Sequence, residues 1–270
     1  MTGKRTTAVS IRARKGEGAE KIVCLTAYDH PTALALDAAG VDILLVGDSV
    51  GMVVLGYEST LPVTMEDMLH HTRAVVRARP RALVVADMPY LSYHVSPEDT
   101  VRNAGRFIKE AGADAVKLEG GTERLPAIRA LIDAKIPVMG HLGLTPQSVL
   151  EFGGYRVQGR GAGAADRMVE AATALDEAGC FALVLEGIPA SLAVRITAAV
   201  TMPTIGIGAG PGTDGQVLVI HDLLGLGGEK APRFVRRYAD LSNAITEAVK
   251  SFSADVRAGS FPRDEETYPE

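Results

Sequence analysis

Eight short apolar segments recur along the chain, each bounded by Gly, Pro or a polar residue, and this spacing restricts the fold more than any other feature. They cover residues 22–28, 43–48, 83–88, 115–119, 138–142, 182–188, 204–208 and 217–221. All are near-continuously hydrophobic and rich in Val, Ile and Leu, the pattern of strands covered on both faces. Amphipathic spacing between them predicts helices over 32–39, 65–77, 97–111, 122–134, 164–178 and 191–199. Start signals support two of these. Thr64 precedes a first turn holding Glu66 and Asp67, and Ser96-Pro97 joins an N-cap to a proline at the first helical position. Strands alternating with helices in this number predict an α/β fold, a (β/α)8 barrel of TIM type. The alternative, an open doubly wound sheet, is disfavoured because no GxGxxG follows the first strand. Roughly eight residues separate the seventh and eighth strands, too few for an ordinary helix, so that crossover must be abbreviated. Beyond the last strand, 234–257 reads as one long helix or two, and 259–270 as a polar tail. No linker composition divides the chain. Residues 1–270 therefore read as a single catalytic domain with a short N-terminal extension and that tail.

Composition narrows the partners. A net charge of −5 without a basic block argues against nucleic acid. No apolar run reaches the ~18 to 20 residues that span a bilayer, and the first residues lack the apolar stretch of a signal peptide. A cytoplasmic location is expected, without membrane contact. Glycine, 29 of 270 residues, exceeds the usual ~7% and suits many tight strand-to-loop transitions. Cys24 and Cys180 lie in or beside apolar segments and read as structural thiols.

In such barrels the chemistry sits at the C-terminal ends of the strands, and polar residues occur there with unusual regularity. The second strand ends in Asp48-Ser49, the third in Asp87, and the fourth reads Lys117-Leu118-Glu119. The fifth ends in His141 and the sixth in Glu186. Side chains alternate along a strand, so Lys117 and Glu119 project to one side, the barrel axis if Val116 and Leu118 face the helices. A single Asp at a strand end is commonly a loop cap. Four acids converging on one mouth would instead repel one another unless a cation offsets them. Asp48, Asp87 and Glu119 offer hard oxygen ligands without Cys or several His, which suits Mg2+ better than Zn2+. Spacing does not decide which acids ligate and which stays free.

With these residues in view, the chain resembles the ketopantoate hydroxymethyltransferase (3-methyl-2-oxobutanoate hydroxymethyltransferase) family. The resemblance rests on Thr-Ala-Tyr-Asp (26–29), Val-Gly-Asp-Ser-Val-Gly-Met (46–52), Gly-Tyr-x-x-Thr-Leu-Pro-Val-Thr (56–64) and Ala-Asp-Met-Pro-Tyr (86–90). It continues through Val-Lys-Leu-Glu-Gly-Gly (116–121), Gly-His-Leu-Gly-Leu-Thr-Pro-Gln (140–147), Gly-Gly-Tyr-Arg-Val-Gln-Gly-Arg (153–160), Leu-Glu-Gly-Ile-Pro (185–189) and the glycine-rich stretch 205–216. It implies a TIM barrel, a homodecamer, and one Mg2+ per subunit. The implied reaction moves a one-carbon unit from 5,10-methylenetetrahydrofolate to C3 of α-ketoisovalerate, giving ketopantoate in pantothenate biosynthesis. By matching position, Asp48 and Asp87 would ligate the metal and, with Ser49, contact the keto acid. Glu119 would complete the metal contacts, Lys117 would contact substrate, and Glu186 would be the catalytic base. Two departures touch the sixth loop and the tail: Gly187 stands after the expected base, and residues 265–268 lack the family's terminal His.

Other readings remain alongside it. His141 is either a substrate contact or a structural His, and His221 is a weaker strand-end candidate. His70 and His71 read as surface or packing residues. The 206–215 loop could cradle a phosphate, but no P-loop Lys-Ser/Thr follows it, and turn geometry explains its glycines equally well. A Mg2+-dependent α-keto-acid lyase or mutase, as in the isocitrate lyase and phosphoenolpyruvate mutase superfamily, would share the chemistry. Segment 140–143 lacks the Cys typical of that group. A non-catalytic metabolite-binding barrel would not need a free acid beside a metal.

Overall fold

A computed structural model describes residues 4–16, 18–227 and 231–269. They group into two compact units, one up to Val219 and one from Ile220 onward. The first unit holds a closed barrel of eight parallel strands in chain order: β1 Ile22–Thr26, β2 Ile43–Val46, β3 Leu83–Asp87, β4 Ala115–Lys117, β5 Val138–Gly143, β6 Ala182–Glu186, β7 Thr204–Ile207 and β8 Gly215–Leu218. Pairing of Cys24 with Val217 closes β1 onto β8. The expected barrel is therefore formed, and the seven strands β1 to β7 lie within the segments where periodicity places them, give or take a residue.

The eighth departs from expectation. It begins two residues earlier, because Gly215 pairs with Ile22 in register. A Cβ at 215 would sit 2.5 Å from the Ile22 carbonyl oxygen, so only glycine permits that approach. His221 is consequently not at a strand end but on the helix Ile220–Leu224 of the second unit. Periodicity cannot separate a short apolar strand from the apolar start of a helix, which is why the boundary moved.

The interior is built from alternate strand residues. Ile22 and Cys24, Ile43 and Leu45, Leu83 and Val85, Met139, Ala182 and Val184, Ile205 and Ile207, and Val217 form one buried cluster. Carried two residues further toward the C-terminal ends, the same phase arrives at Asp87, Lys117 (from Ala115), His141 and Glu186. The functional layer is thus the next layer of the core, with polar residues in place of apolar ones.

The N-terminal extension is also part of this core. Helix Ala8–Arg12 carries a Thr7/Ser10 capping box, and its Ile11 is fully buried in the interior cluster. Arg12 donates to the Cys180 carbonyl and to Asp176, while Lys15 Nζ binds the Thr197 carbonyl at 2.6 Å and Asp214 at 2.9 Å. These partners flank the starts of β6, β7 and β8, so the helix closes the end of the barrel opposite the acids.

The helices follow the expected pattern with adjusted ends. His30–Ala38 starts at the Asp29 N-cap, and Met65–Val76 carries a Thr64/Asp67 capping box. Pro97–Arg106 is extended by a π-turn over Phe107–Ala111, and Leu125–Asp133, Ala162–Ala178 and Ala190–Ala199 cover the remaining strands. No helix bridges β7 and β8. Their connecting glycines pack on Ala190–Ala199: a Cβ at Gly210 would lie 2.5 Å from Ala190 Cβ, and at Gly212 2.4 Å from Val194 Cγ2. Close packing accounts for that loop without an anion.

Within the second unit, Leu241–Ala258 is one helix, started by Asp240, whose side chain accepts from the Asn243 N–H. Its Ile245, Val249, Phe252 and Val256 recur on one face and are exposed. Among the described residues no helix is long and apolar enough to cross a membrane. Both cysteines are buried and free, and burial pushes the Cys24 thiol up strongly and Cys180 up to about 12. Neither is a poised nucleophile.

The buried Ile11 generates a stability prediction. Ile11→Ala should cost about 2–5 kcal/mol by leaving a cavity under the barrel. Val9→Ala on the same helix, 80% exposed, should stay within about 0.5 kcal/mol. Urea unfolding of both variants measures the difference, and equal midpoints would show that the helix does not plug the core.

Candidate active site

At the C-terminal mouth of the barrel, Asp48, Asp87, Lys117, Glu119 and His141 are all buried to within a few per cent. Register explains the first contact: Asp87 on β3 pairs with Lys117 on β4, and Asp87 Oδ1 lies 2.8 Å from Lys117 Nζ. The Asp48 backbone N–H donates to the other oxygen of Asp87 at 3.2 Å. Lys117 Nζ is also 3.2 Å from His141 Nδ1. That imidazole stands between two acids, its Nδ1 3.4 Å from Glu119 Oε1 and its Nε2 3.4 Å from Glu186 Oε2. His141, ambiguous from sequence, is the bridge between the Lys117–Glu119 pair and Glu186.

Charge is out of balance here. Burial drives the Asp48 carboxyl well above the ordinary carboxylate range, and the charges of Asp87 and Glu119 push it further. Asp87 is raised by burial too, though Lys117 opposes the shift. For Glu119, burial is outweighed by the hydrogen bond and charge of His141 together with Lys117, which hold it below the ordinary value. The same acids hold Lys117 charged against the cost of burial, Asp87 most strongly. His141 is raised to about 9: burial and Lys117 lower it, and the contacts to Glu119 and Glu186 prevail. Among the described residues Asp48 has no ion pair of its own, only the more distant charge of Lys117, and Gln147 Nε2 donates to its Oδ2 at 2.8 Å.

Glu186 sits apart from this knot. Its side chain is 17% exposed, against 3% for His141, so it is reachable from the mouth. Its backbone is held by a close approach of β5 and β6: Leu144 N–H donates to the Glu186 carbonyl at 2.8 Å. Gly143 has φ +102°, and a Cβ there would lie 2.1 Å from that oxygen, so the position requires glycine. Ser49 exchanges a 2.8 Å hydrogen bond with the Tyr28 hydroxyl. His71 Nδ1 packs 2.7 Å from the Tyr28 carbonyl, so one of the two adjacent histidines is a packing residue that supports the wall of the site.

The site therefore brings together Asp48, Ser49, Asp87, Lys117, Glu119, His141 and Glu186. Two residues given no role from sequence, Gln147 and Tyr93, prove to join them. Gln147 lies in the motif 140–147, which is the signal that could have raised it; nothing in the local pattern singles out Tyr93. A cavity of about 500 Å3 opens beside them, bordered by Glu119, Gln147, Tyr93, Arg124 and Leu142. Beside Tyr93, His94 is lowered to about 4 by burial and the Arg124 charge, and so stands neutral there.

As to a metal, the donor set is all-oxygen and carries an excess of negative charge in a buried place, which fits a hard divalent cation. Among the described residues no three His, Cys, Asp or Glu side chains are grouped so as to hold an ion together. Asp48 and Asp87 adjoin, whereas both oxygens of Glu119 face His141 and Gln147. Mg2+ commonly takes only one or two carboxylates and completes its shell with water and substrate, so Asp48 and Asp87 are the residues that could hold such an ion.

Residues 5–264 match the family described as ketopantoate hydroxymethyltransferase. Among curated relatives, the 3-methyl-2-oxobutanoate hydroxymethyltransferase of Moorella thermoacetica is 59% identical over 264 residues, covering 98% of each chain. That of Geotalea daltonii is 58% identical over 261 residues, covering 97% of each. Among solved structures, 2,3-dimethylmalate lyase, a PEP mutase/isocitrate lyase superfamily member, aligns with TM-score 0.62 at 19% identity over 99% of this chain and 90% of its own. A phosphonopyruvate hydrolase complex with oxalate and Mg2+ gives TM-score 0.61 at 14% identity over 97% and 93%. At such identities the likeness is one of fold, and the lyase and mutase reading draws no further support from it.

The Asp87–Lys117 pair yields a test of the charge argument. Lys117→Met leaves Asp87 buried and unpaired, which should cost about 3–5 kcal/mol. Adding Asp87→Asn should restore part of that loss. Urea unfolding in EDTA measures both, and a double variant no more stable than the single one would show that the pair is not what holds the charge.

Proposed function

The chain belongs to the ketopantoate hydroxymethyltransferase family, and on that premise we propose that its barrel mouth enolises α-ketoisovalerate (3-methyl-2-oxobutanoate) and joins C3 to a one-carbon unit from 5,10-methylenetetrahydrofolate. The product is ketopantoate, which places the enzyme in pantothenate biosynthesis. The single observation that carries this reading is the separation of roles at the mouth: an unbalanced carboxylate pair, Asp48 and Asp87, on one side of His141, and the accessible Glu186 on the other.

Asp48 and Asp87 would hold Mg2+, with Glu119 as the third acid of the set. When bound, the ion supplies Lewis-acid stabilisation of the charge that develops on the keto oxygen. Lys117, already charged beside Asp87, adds its positive field for the substrate carboxylate. Ser49, fixed by Tyr28, offers a hydroxyl to the same acid. Glu186 takes the proton from C3 onto its carboxylate, and His141, 3.4 Å away, steadies that carboxylate and bears part of its charge. Water adds to the methylene carbon as its two bonds to folate nitrogen break, its protons going to those nitrogens as tetrahydrofolate leaves. The electron pair at C3 then bonds to that aldehyde-level carbon, and the proton held by Glu186 passes to the new alkoxide. The cavity beside Glu119 and Gln147 offers room for a second reactant. Cytoplasmic location and a homodecamer belong to the same reading. The exposed apolar face of Leu241–Ala258 supports self-association.

Turnover of α-ketoisovalerate and methylenetetrahydrofolate, assayed with and without EDTA, tests the whole reading: product should form and EDTA should abolish it. Asp48→Asn or Asp87→Asn should weaken Mg2+ and keto-acid binding together, each by about 1.5–3 kcal/mol, the worth of a charge-assisted contact. Calorimetric titration with and without Mg2+ checks this, and equal metal-independent binding would exclude it. Glu186→Gln keeps the shape but accepts no proton. In D2O, without folate, exchange of the C3 proton should fall by ~10²- to 10⁴-fold while keto-acid binding survives. NMR of C3 reads the result, and wild-type exchange in that variant would assign the base elsewhere.

A further inference from the structure

Gln147 makes more polar contacts inside the site than any of the acids that the mechanism uses, yet no step employs it. It sits on the short turn Pro146–Ser148 after β5 and is 6% exposed. Its Nε2 donates to Asp48 Oδ2 at 2.8 Å and to the Met88 carbonyl at 2.9 Å. Its Oε1 accepts from the Tyr93 hydroxyl at 2.6 Å. Its backbone N–H donates to Glu119 Oε2 at 3.0 Å. Tyr93 closes the ring, since its oxygen accepts from the Glu119 N–H at 3.3 Å. A circuit thus runs from Glu119 through Tyr93 and Gln147 to Asp48, and back from Gln147 to Glu119.

The chemistry of the partners leaves only one orientation for the amide. The Met88 carbonyl can only accept, so the NH2 end must face it and with it Asp48 Oδ2, and the amide oxygen then faces the Tyr93 O–H. Both amide protons are used. Because every member is buried, a wrong orientation would place acceptor against acceptor in a dry site, at the full desolvation cost. Elements from four separate loops, after β2, β3, β4 and β5, are tied at this one residue, three through its side chain or its own position and the β4 loop through its backbone N–H.

We infer that Gln147 is the positioning residue of the carboxylate cluster: it aims Asp48 with its side chain and Glu119 with its backbone, and Tyr93 fixes the direction of its amide. The inference rests on the proposed function, because what Asp48 is aimed at is the metal and keto acid, while Glu119 is held toward His141. Second partners of this kind commonly set metal affinity as strongly as the ligands' own geometry does.

The test uses the full chain with Gln147→Leu, Gln147→Glu, Tyr93→Phe and the double variant Tyr93→Phe/Gln147→Leu. Keto acid is titrated calorimetrically with and without Mg2+, beside kcat, KM and the thermal midpoint. Gln147→Leu should weaken Mg2+-supported keto-acid binding about 10- to 100-fold. Gln147→Glu, equal in size, should weaken it at least as much, because it turns a carboxylate toward Asp48. Tyr93→Phe should give a smaller loss, and the double variant should be no worse than Gln147→Leu alone, since both cut one circuit. A purely structural role would lower the thermal midpoint and leave the affinity of the folded protein unchanged, and that result overturns the inference. Tight binding by Gln147→Glu overturns it as well, and additive losses in the double variant overturn the part given to Tyr93. Wild-type binding that ignores Mg2+ would overturn the metal reading instead, and the metal-free affinities of the same variants would then still decide Gln147. Tyr93→Phe deletes one oxygen, so the comparison survives if the Gln147 variants fail to fold.

Discussion

Three carboxylates buried within a few per cent of full enclosure, with one lysine and one histidine to answer them, set the terms for the rest of this structure. Charges cannot be taken out of water in that ratio without either taking up protons or acquiring counter-charge. The protein's responses are visible one by one. Lys117 stays charged because Asp87 is 2.8 Å away; His141 is raised to about 9 by its contacts to Glu119 and Glu186; and Asp48, with no ion pair of its own among the described residues, takes a donor from Gln147. Under the proposed function, the residual imbalance at Asp48 and Asp87 is what a divalent ion would answer.

A barrel is well suited to carry that burden. Its strands present alternate residues to the axis, so the same phase that stacks Leu83 and Val85 delivers Asp87, and the phase of Ala182 and Val184 delivers Glu186. The apolar layers below hold the polar layer rigid and dry, and Ile11 closes the far end. Stability and function are thereby divided along one axis. The N-terminal end holds the core shut, while the C-terminal end keeps groups that would destabilise any other position. Glycine serves the division at two points, letting β8 approach β1 at Gly215 and β6 approach β5 at Gly143.

Much of this was legible without coordinates. The eight apolar runs, the abbreviated last crossover and the acid at the end of each of β2, β3 and β6 follow from composition and period alone, and Lys117 and Glu119 do face one way. The failures are equally physical. Periodicity puts His221 at a strand end because an apolar run that passes from strand to helix has no period of its own. The five-residue helix with Ile11 leaves no helical signal in the sequence, since one buried turn is too short for an amphipathic pattern to register. Gln147 and Tyr93 passed without a role because a hydrogen-bond circuit between different loops leaves no trace in spacing.

What the sequence by itself determined is the family, the strand order and the inventory of ionisable groups, because these depend on residue type and on local periodicity. Tertiary structure alone decided how those groups pair. Glu119 and His141 are separated by a helix in the chain yet lie 3.4 Å apart, and Gln147 reaches Asp48 across 99 residues. Such contacts are set by the register of neighbouring strands and the closure of the barrel, and electrostatic coupling in a buried site depends on distances of that order. A sequence names the charges; only the closed barrel settles which of them must answer which.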